Sequence, residues 1–149
     1  MAGRPVAELE SVLAEIWQRG RTRTRHNAHA IDPHLDPSCY PLLVALSRHE
    51  SLPMSELVAT LEVGKSTVTR QIDAAARLGL VRRSPAPDDA RARVVALTEL
   101  GRKRYTEVTD SQIADWREHL SRWDPDDIRT LTALLRQFLT STGGKDELE

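Results

Sequence analysis

The stretch "SELVATLEVGKSTVTRQIDAAARLGLVRR", residues 55–83, constrains the fold more than any other part of the chain. Leu57, Val58 and Leu61 recur at helical spacing over barely two turns, and Val63-Gly64 make a tight break after them. A second helical pattern follows, with Val68, Ile72, Ala75 and Ala76 sharing one face. Ser55 and Ser66 stand where N-caps are expected, and Gly79 is a natural helix stop. Gly64-Lys65-Ser66-Thr67 also spells the end of a phosphate-binding loop. That loop needs glycine five residues earlier, where Ala59 stands. It also follows a buried strand, whereas "SELVATLE" has helical spacing and a polar face. The nucleotide-binding interpretation fails on both counts.

A short helix, a tight turn with glycine, and a second helix opening on small hydroxyl residues make a helix-turn-helix. Its second helix enters the major groove, and side chains near its N-terminus reach base edges. Here these are Lys65, Ser66, Thr67, Thr69, Arg70 and Gln71. Arginine pairs with guanine, glutamine with adenine, and serine or threonine with either base or phosphate. Taken alone, the segment also fits a packed helix that merely carries hydroxyls. The next residues favour DNA. In "LVRRSPAPDDARARVVALT", two β-like runs, 80–83 and 93–98, flank a Pro- and Asp-rich loop, as in a hairpin. The ribbon carries Arg82, Arg83, Arg91 and Arg93, and an arginine-bearing wing can enter a neighbouring minor groove. Asp89, two residues before Arg91, is expected to pair with arginine and fix the wing tip; an ordinary surface ion pair is the plainer alternative.

Charge is distributed accordingly. The net charge of −1 conceals a segment, residues 64–104, with ten Lys/Arg against four acids. Acidic stretches flank it, which suits a nucleic-acid-binding module held by a non-binding scaffold; on charge alone, a solvated basic face is the plainer alternative. With one Phe, two Tyr and three Trp, the core must be filled by Leu, Val and Ala. The single cysteine, Cys39, excludes an internal disulfide framework and suits a reducing compartment. No stretch approaches the roughly 18 apolar residues of a membrane span, so a soluble, cytoplasmic protein is expected.

The flanks read as helices. Leu9, Val12, Leu13, Ile16 and Trp17 form an apolar stripe, and the polar "RGRTRTRHNAHA" beyond it either frays or continues the helix past Gly20. Two Asp-Pro pairs then turn the chain, and Ser38 is expected to cap a helix from about Cys39 to Arg48. Downstream, Tyr105, Val108, Gln112, Trp116 and Leu120 line a long helix. Asp124-Pro125 starts a last one, with Ile128, Leu131, Leu135, Phe138 and Leu139 inward. The expected fold is mainly α with a small β-hairpin wing: a winged helix-turn-helix plus a helical dimerisation region. Its parts are an N-terminal dimerisation helix and connector over 1–37 and the DNA-binding domain over 38–97. The recognition helix covers about 66–78 and the wing about 80–97. C-terminal dimerisation helices occupy 98–141, and a disordered tail 142–149.

Residues 55–104 resemble the winged helix of the MarR family of bacterial transcriptional regulators. The likeness rests on "SELVATLEVGKSTVTRQIDAAARLGLVRR", on the D-x-R at Asp89-Ala90-Arg91, and on the L-T-x-x-G at Leu97–Gly101. The order and length of the flanking helices extend it over about residues 6–141. It implies a homodimer built from the first helix and the last two, bound to duplex DNA bearing an inverted repeat. Ser66, Thr67, Thr69, Arg70 and Gln71 match its recognition-helix positions, and Arg91 its wing arginine. Ala90 departs from the pattern where many members carry a second basic residue, and so do the small Ala74-Ala75-Ala76 beneath the helix. Independently of family, Trp17, Trp116 and Trp123, all expected on terminal helices, with several Leu would leave large apolar stripes that pairing across a two-fold axis buries; a purely intrachain core is the alternative.

The resemblance also implies an effector, a small aromatic or anionic molecule held between dimer helices and DNA-binding lobe, with Trp17, Arg25, His29, Cys39 and Tyr40 as candidate neighbours. Two alternatives stand beside it: oxidant sensing by Cys39, which needs an exposed, acidic thiol, and a metal site among His26, His29, His34 and Cys39. The spacing of the latter is not a compact ligand motif, so no metal is expected. No catalytic constellation and no cofactor are expected either. The function read from the sequence is a sequence-specific DNA-binding regulator, a repressor released by an effector. A winged helix that binds protein rather than DNA is the rival class.

Overall fold

A computed structural model describes residues 3–142. The chain divides into two compact units, Met1–Val108 and Thr109–Glu149.

The first unit opens with α1 (Gly3–Ile31), which runs through Gly20 without interruption, so the polar segment continues the helix. Only its last turns reach the core: Asn27, Ala28 and Ile31 are buried, while Trp17 is 58% exposed. The chain then turns at the Asp-Pro pairs. Asp36 caps a 3-10 turn (Pro37–Cys39), its Oδ1 accepting the Ser38 N–H at 2.8 Å, and α2 (Tyr40–Ser47) follows directly. Ser38 therefore does not cap α2 as expected. Asp ahead of proline is itself a strong cap, and it claims the Ser38 amide first.

A two-residue strand, β1 (Leu52–Pro53), leads into α3 (Met54–Leu61), and α4 (Lys65–Arg77) comes next. Neither helix has the serine cap expected for it. The N-caps are Pro53 and Gly64, both with extended backbone and no side-chain cap bond, and Ser55 and Ser66 lie inside the first turns. Strand β1 fixes the entry to α3 by pairing with the wing, which leaves Ser55 too far along to cap. The wing itself consists of β2 (Val81–Pro85) and β3 (Arg93–Leu97), and the antiparallel sheet has the order β1-β3-β2. Gly79, with φ of 74°, ends α4 as expected. Its N–H bonds to Ala76 O and the Leu80 N–H to Ala75 O, satisfying the last carbonyls of the helix.

Leu42, Leu43 and Leu46 of α2, Leu57 of α3, Val68, Ile72 and Ala75 of α4, and Leu80 and Val95 of the sheet form the centre of the core. Each fully buried Leu or Ile contributes roughly 1.5–3 kcal/mol through apolar burial. Thr98 closes the wing and caps α5 (Glu99–Leu120): its Oγ1 accepts the Gly101 N–H at 3.0 Å and donates to Gly79 O. The first turns of α5 clamp two earlier elements. Arg104 donates to Ile31 O and to Asp32 Oδ2 (2.9 Å), and Arg102 to Ser47 O and His49 O.

The second unit holds the remainder of α5 and α6 (Pro125–Thr142). Asp124 caps α6 as expected, accepting the Asp126 N–H at 2.8 Å. Trp123 lies in the connecting turn and not on a helix. None of the five residues expected inward on α6 is buried: Ile128 and Phe138 are half-buried, and Leu139 is 67% exposed. Helix α6 ends at Thr142, and the rest of the expected tail lies outside the described residues. Among the described residues no helix is long and apolar enough to cross a membrane.

Candidate nucleic-acid interface

Helix α4 is amphipathic at a spacing that fixes its orientation. Val68, Ile72 and Ala75 are fully buried, while Lys65, Ser66 and Arg70 are exposed. The turn before it is made by Glu62 in the left-handed region (φ 53°), whereas Gly64 has an ordinary extended backbone and nothing within 4 Å of an added Cβ. The glycine of the tight break is thus not the residue that makes the bend. Gly64 O accepts the Thr67 and Val68 N–H groups, and no side chain caps this end of α4. An uncapped helix start presents N–H groups and the positive end of the dipole to an anion such as phosphate.

The candidate reading residues differ in what remains free. Lys65 and Arg70 make no ion pair or side-chain hydrogen bond among the described residues. The Thr69 hydroxyl donates to Lys65 O at 2.9 Å, so towards a ligand it can only accept. Thr67, Thr69 and Gln71 are half-buried, and the Gln71 carbonyl lies 3.8 Å from Cys39 Sγ.

In the wing, Arg82 pairs opposite Ala96 and Arg83 opposite Val95, so successive arginines face opposite sides of the ribbon. Arg83 Nη2 meets Asp73 Oδ1 at 2.7 Å, joining β2 to α4. Asp73 was not among the expected site residues. The available signal was that, of the four acids in residues 64–104, it alone falls within the second helical pattern. At the tip, Asp89 Oδ1 accepts the backbone N–H of Arg91 at 2.9 Å, and Asp89 O accepts that of Ala92. Asp89 orders the tip through the backbone and not through the expected ion pair, because the N–H two residues ahead lies within its short reach. Arg82, Arg91 and Arg93 stay exposed.

The five expected effector-pocket residues do not converge. Arg25 and His29 line an open cleft of about 550 Å³ with Thr22, His26, Pro33, His34, Leu35, Asp36 and Pro37. Trp17 stands on the exposed first half of α1. The Tyr40 hydroxyl accepts from Asn27 Nδ2 at 3.1 Å, and its ring lies 6.2 Å from that of Tyr105. Burial pushes the Tyr40 hydroxyl pKa up. Cys39 is 1% exposed, and burial, reinforced by the Asp36 carboxylate, raises its thiol pKa. A buried thiol of raised pKa is the opposite of a reactive sensor, which corrects the oxidant-sensing alternative. Among the described residues no three His, Cys, Asp or Glu are grouped to hold a metal ion.

Residues 35–92 match the model of the MarR family. No curated protein is a significant match to the chain. Its fold is similar to that of a MarR family protein from Bacillus stearothermophilus, with a TM-score of 0.78, 26% identity, and 96% and 99% of the two chains covered. It is also similar to a MarR family transcriptional regulator from Silicibacter pomeroyi, with a TM-score of 0.65, 25% identity and coverage of 92% and 90%. Bordetella bronchiseptica BpsR, whose DNA binding is regulated by 6-hydroxynicotinic acid, matches with a TM-score of 0.61 at 21% identity, covering 87% and 91%.

Proposed function

We propose that this chain is a member of the MarR family of transcriptional regulators, whose model matches residues 35–92, and that it is a homodimeric repressor of an inverted-repeat operator. The observation that carries this reading is the division of α4. Its inner face is fully buried, and its outer face offers Lys65, Ser66 and Arg70 beside an uncapped helix start. In this reading Arg70 and Gln71 meet base edges, while Lys65, Ser66, Thr67 and Thr69 set the register on phosphates. Arg91, on a tip ordered by Asp89, enters the minor groove, and Arg82 and Arg93 supply backbone contacts. Arg83 acts through Asp73 by fixing the wing against the helix.

Dimerisation supplies the second half-site reader. The first half of α1 exposes Val6, Leu9, Val12, Ile16 and Trp17. In the other unit Ile113, Trp116, Leu131, Leu134 and Leu139 are exposed. A second copy covering these faces keeps two α4 helices about one DNA turn apart. An effector acts by favouring a dimer state whose spacing no longer fits. The protein works in the cytoplasm, and no catalysis is assigned to it.

The test is selection of duplexes from a random pool, then titration of the winner at several salt concentrations. An inverted repeat bound with a steep salt slope supports the reading. Absence of any enrichment by a folded dimer overturns it.

A further inference from the structure

The first turns of α5 sit between the ends of two earlier helices. Arg102 and Arg104 are two residues apart, so their side chains leave the helix about 200° apart. Arg102 donates to Ser47 O and His49 O at the end of α2, at 3.3 and 3.2 Å. Arg104 donates to Ile31 O and Asp32 Oδ2 at the end of α1, at 3.3 and 2.9 Å. Asp32 is itself held in place. Its N–H donates to Ala28 O, its Oδ1 accepts the His34 N–H at 2.9 Å, and its carbonyl accepts the Leu35 N–H. The Asp32 side chain is only 14% exposed, so Arg104 meets a carboxylate that cannot swing away.

Apolar packing at this end of α1 is small. Ala28 and Ile31 are the buried apolar residues of a helix of 29 residues. Apolar burial is non-directional, so these two define where α1 touches the lobe and not the angle at which it leaves. Two directional contacts bear on that angle. Asn27 Nδ2 donates to the Tyr40 hydroxyl at 3.1 Å, and about one turn later Arg104 takes the helix end. Without the second contact α1 can tilt about the first. The lever is long: from Asp32 back to Leu9 the helix runs about 35 Å, and a tilt of about 5° displaces Leu9 by about 3 Å. One base-pair step of duplex is about 3.4 Å.

We propose that the Asp32–Arg104 pair is a positioning device: it fixes the angle between α1 and the DNA-binding lobe, and so makes the number of base pairs between half-sites part of operator specificity. The second clause rests on the repressor reading, in which a second copy holds the exposed stripe of α1. With the stripe held, any tilt at the joint moves the lobe and its α4. An ion pair with fixed hydrogen-bond geometry suits this role better than further apolar contact. Ion pairs drawn out of water add little net stability, and setting register is their best-attested use.

Arg104→Gln tests the pair in two ways. The first is the distance between spin labels on Ser11→Cys of α1 and Ser55→Cys of α3, both exposed positions, in the full chain diluted with unlabelled protein. Cys39 is buried, so the introduced thiols take the label. The distance distribution should broaden or shift by about 2–3 Å in Arg104→Gln and stay narrow in Arg104→Lys, which keeps a charge opposite Asp32. An unchanged distribution in folded Arg104→Gln overturns the positioning device, whatever the protein binds. The second is affinity for the selected operator, for versions with one base pair added or removed between half-sites, and for an isolated half-site. Wild type should lose about tenfold or more on either spacer change, and Arg104→Gln about threefold or less, with half-site affinity unchanged. Arg104→Lys should recover most of the discrimination, and adding Asp32→Asn to Arg104→Gln should change nothing further. Equal losses on every duplex would assign the pair a purely structural role and overturn the spacing claim, as would wild-type indifference to spacer length. Failure of the wild type to bind any inverted repeat counts against the repressor reading, and the label distances then decide the positioning device alone.

Discussion

Gly101 lies against the backbone of Leu80: a Cβ added to the glycine would stand 2.0 Å from the Leu80 carbonyl oxygen and 2.8 Å from its carbonyl carbon. The approach exists because Thr98 stitches the start of α5 to the end of α4. Its N–H donates to Leu80 O, its hydroxyl donates to Gly79 O, and the same hydroxyl accepts the Gly101 N–H. The L-T-x-x-G motif is thus a joint between the end of α4, the β2-β3 hairpin and α5.

Gly101→Ala should therefore lower stability by about 2 kcal/mol or more, since the obstacle is backbone and cannot rotate away. Gly20→Ala is the contrasting change. Gly20 sits inside α1 with nothing within 4 Å, so alanine should raise stability by roughly 0.5–1 kcal/mol. Urea unfolding followed by circular dichroism checks both, and similar effects of the two substitutions would contradict the packing argument.

Asp32 gives a prediction with a defined pH window. Its folded-state pKa lies below the ordinary 3.8, through the His34 N–H and then Arg104, despite partial burial. A depressed carboxyl contributes stability that is fully present above its unfolded value and lost as pH falls through the folded one. Asp32→Asn should be less stable than wild type at pH 7, and the gap should close only below about pH 3.8. Denaturant midpoints at a series of pH values test this; a gap independent of pH would mean that the ion pair is not its source.

The inner face of α4 was legible because Val68, Ile72 and Ala75 repeat at the helical period, and that period is local. The cap at Asp124 and the stop at Gly79 were legible for the same reason. The misassigned caps share one cause: Ser38, Ser55 and Ser66 fit by composition, yet Cys39, Pro53 and Gly64 take the position once neighbouring chain is placed, and none of the three makes a side-chain cap bond. Strand β1 has two residues, too few to display a period, and exists only through its pairing with Val94 and Val95. The candidate interface was readable in its membership but not in its pairing. Nothing in residues 65–83 indicates that Asp73 takes Arg83 while Arg82 and Arg70 stay exposed, because that choice is made by the sheet register.

Cys39 is predicted to be inert in the native protein. It is buried in the core with a raised pKa, so a water-soluble thiol reagent should modify it only at the rate at which the protein opens. Operator affinity should be the same before and after peroxide treatment. Fast labelling under native conditions would show that this part of the core opens readily.

Asp73→Asn separates positioning from charge. The pair is partly exposed, so its loss should cost at most about 1 kcal/mol of stability. It also frees Arg83 and removes a negative charge from α4. Affinity for random duplex should rise, while the ratio of operator to random affinity falls. A loss of affinity on both duplexes in equal measure would assign Asp73 a purely structural role.

Arg70 and Arg91 should fail in different ways when replaced by alanine. Arg70 extends from the exposed face of α4, in the turn that follows the uncapped start, where an arginine fork can span two acceptors of a guanine. Its loss should remove about 1–3 kcal/mol at one position of each half-site, and discrimination at that position with it. Arg91 sits on a tip ordered through Asp89, and in the proposed complex it meets groove width and potential instead of a base edge. Arg91→Ala should weaken operator and random duplex alike and lower the slope of log affinity against log salt by about one unit per site. Fluorescence anisotropy on the selected operator, its single-position variants and a random duplex, each at several salt concentrations, resolves the two patterns. Equal losses for Arg70→Ala on operator and random duplex would remove it from base recognition and leave it a phosphate contact.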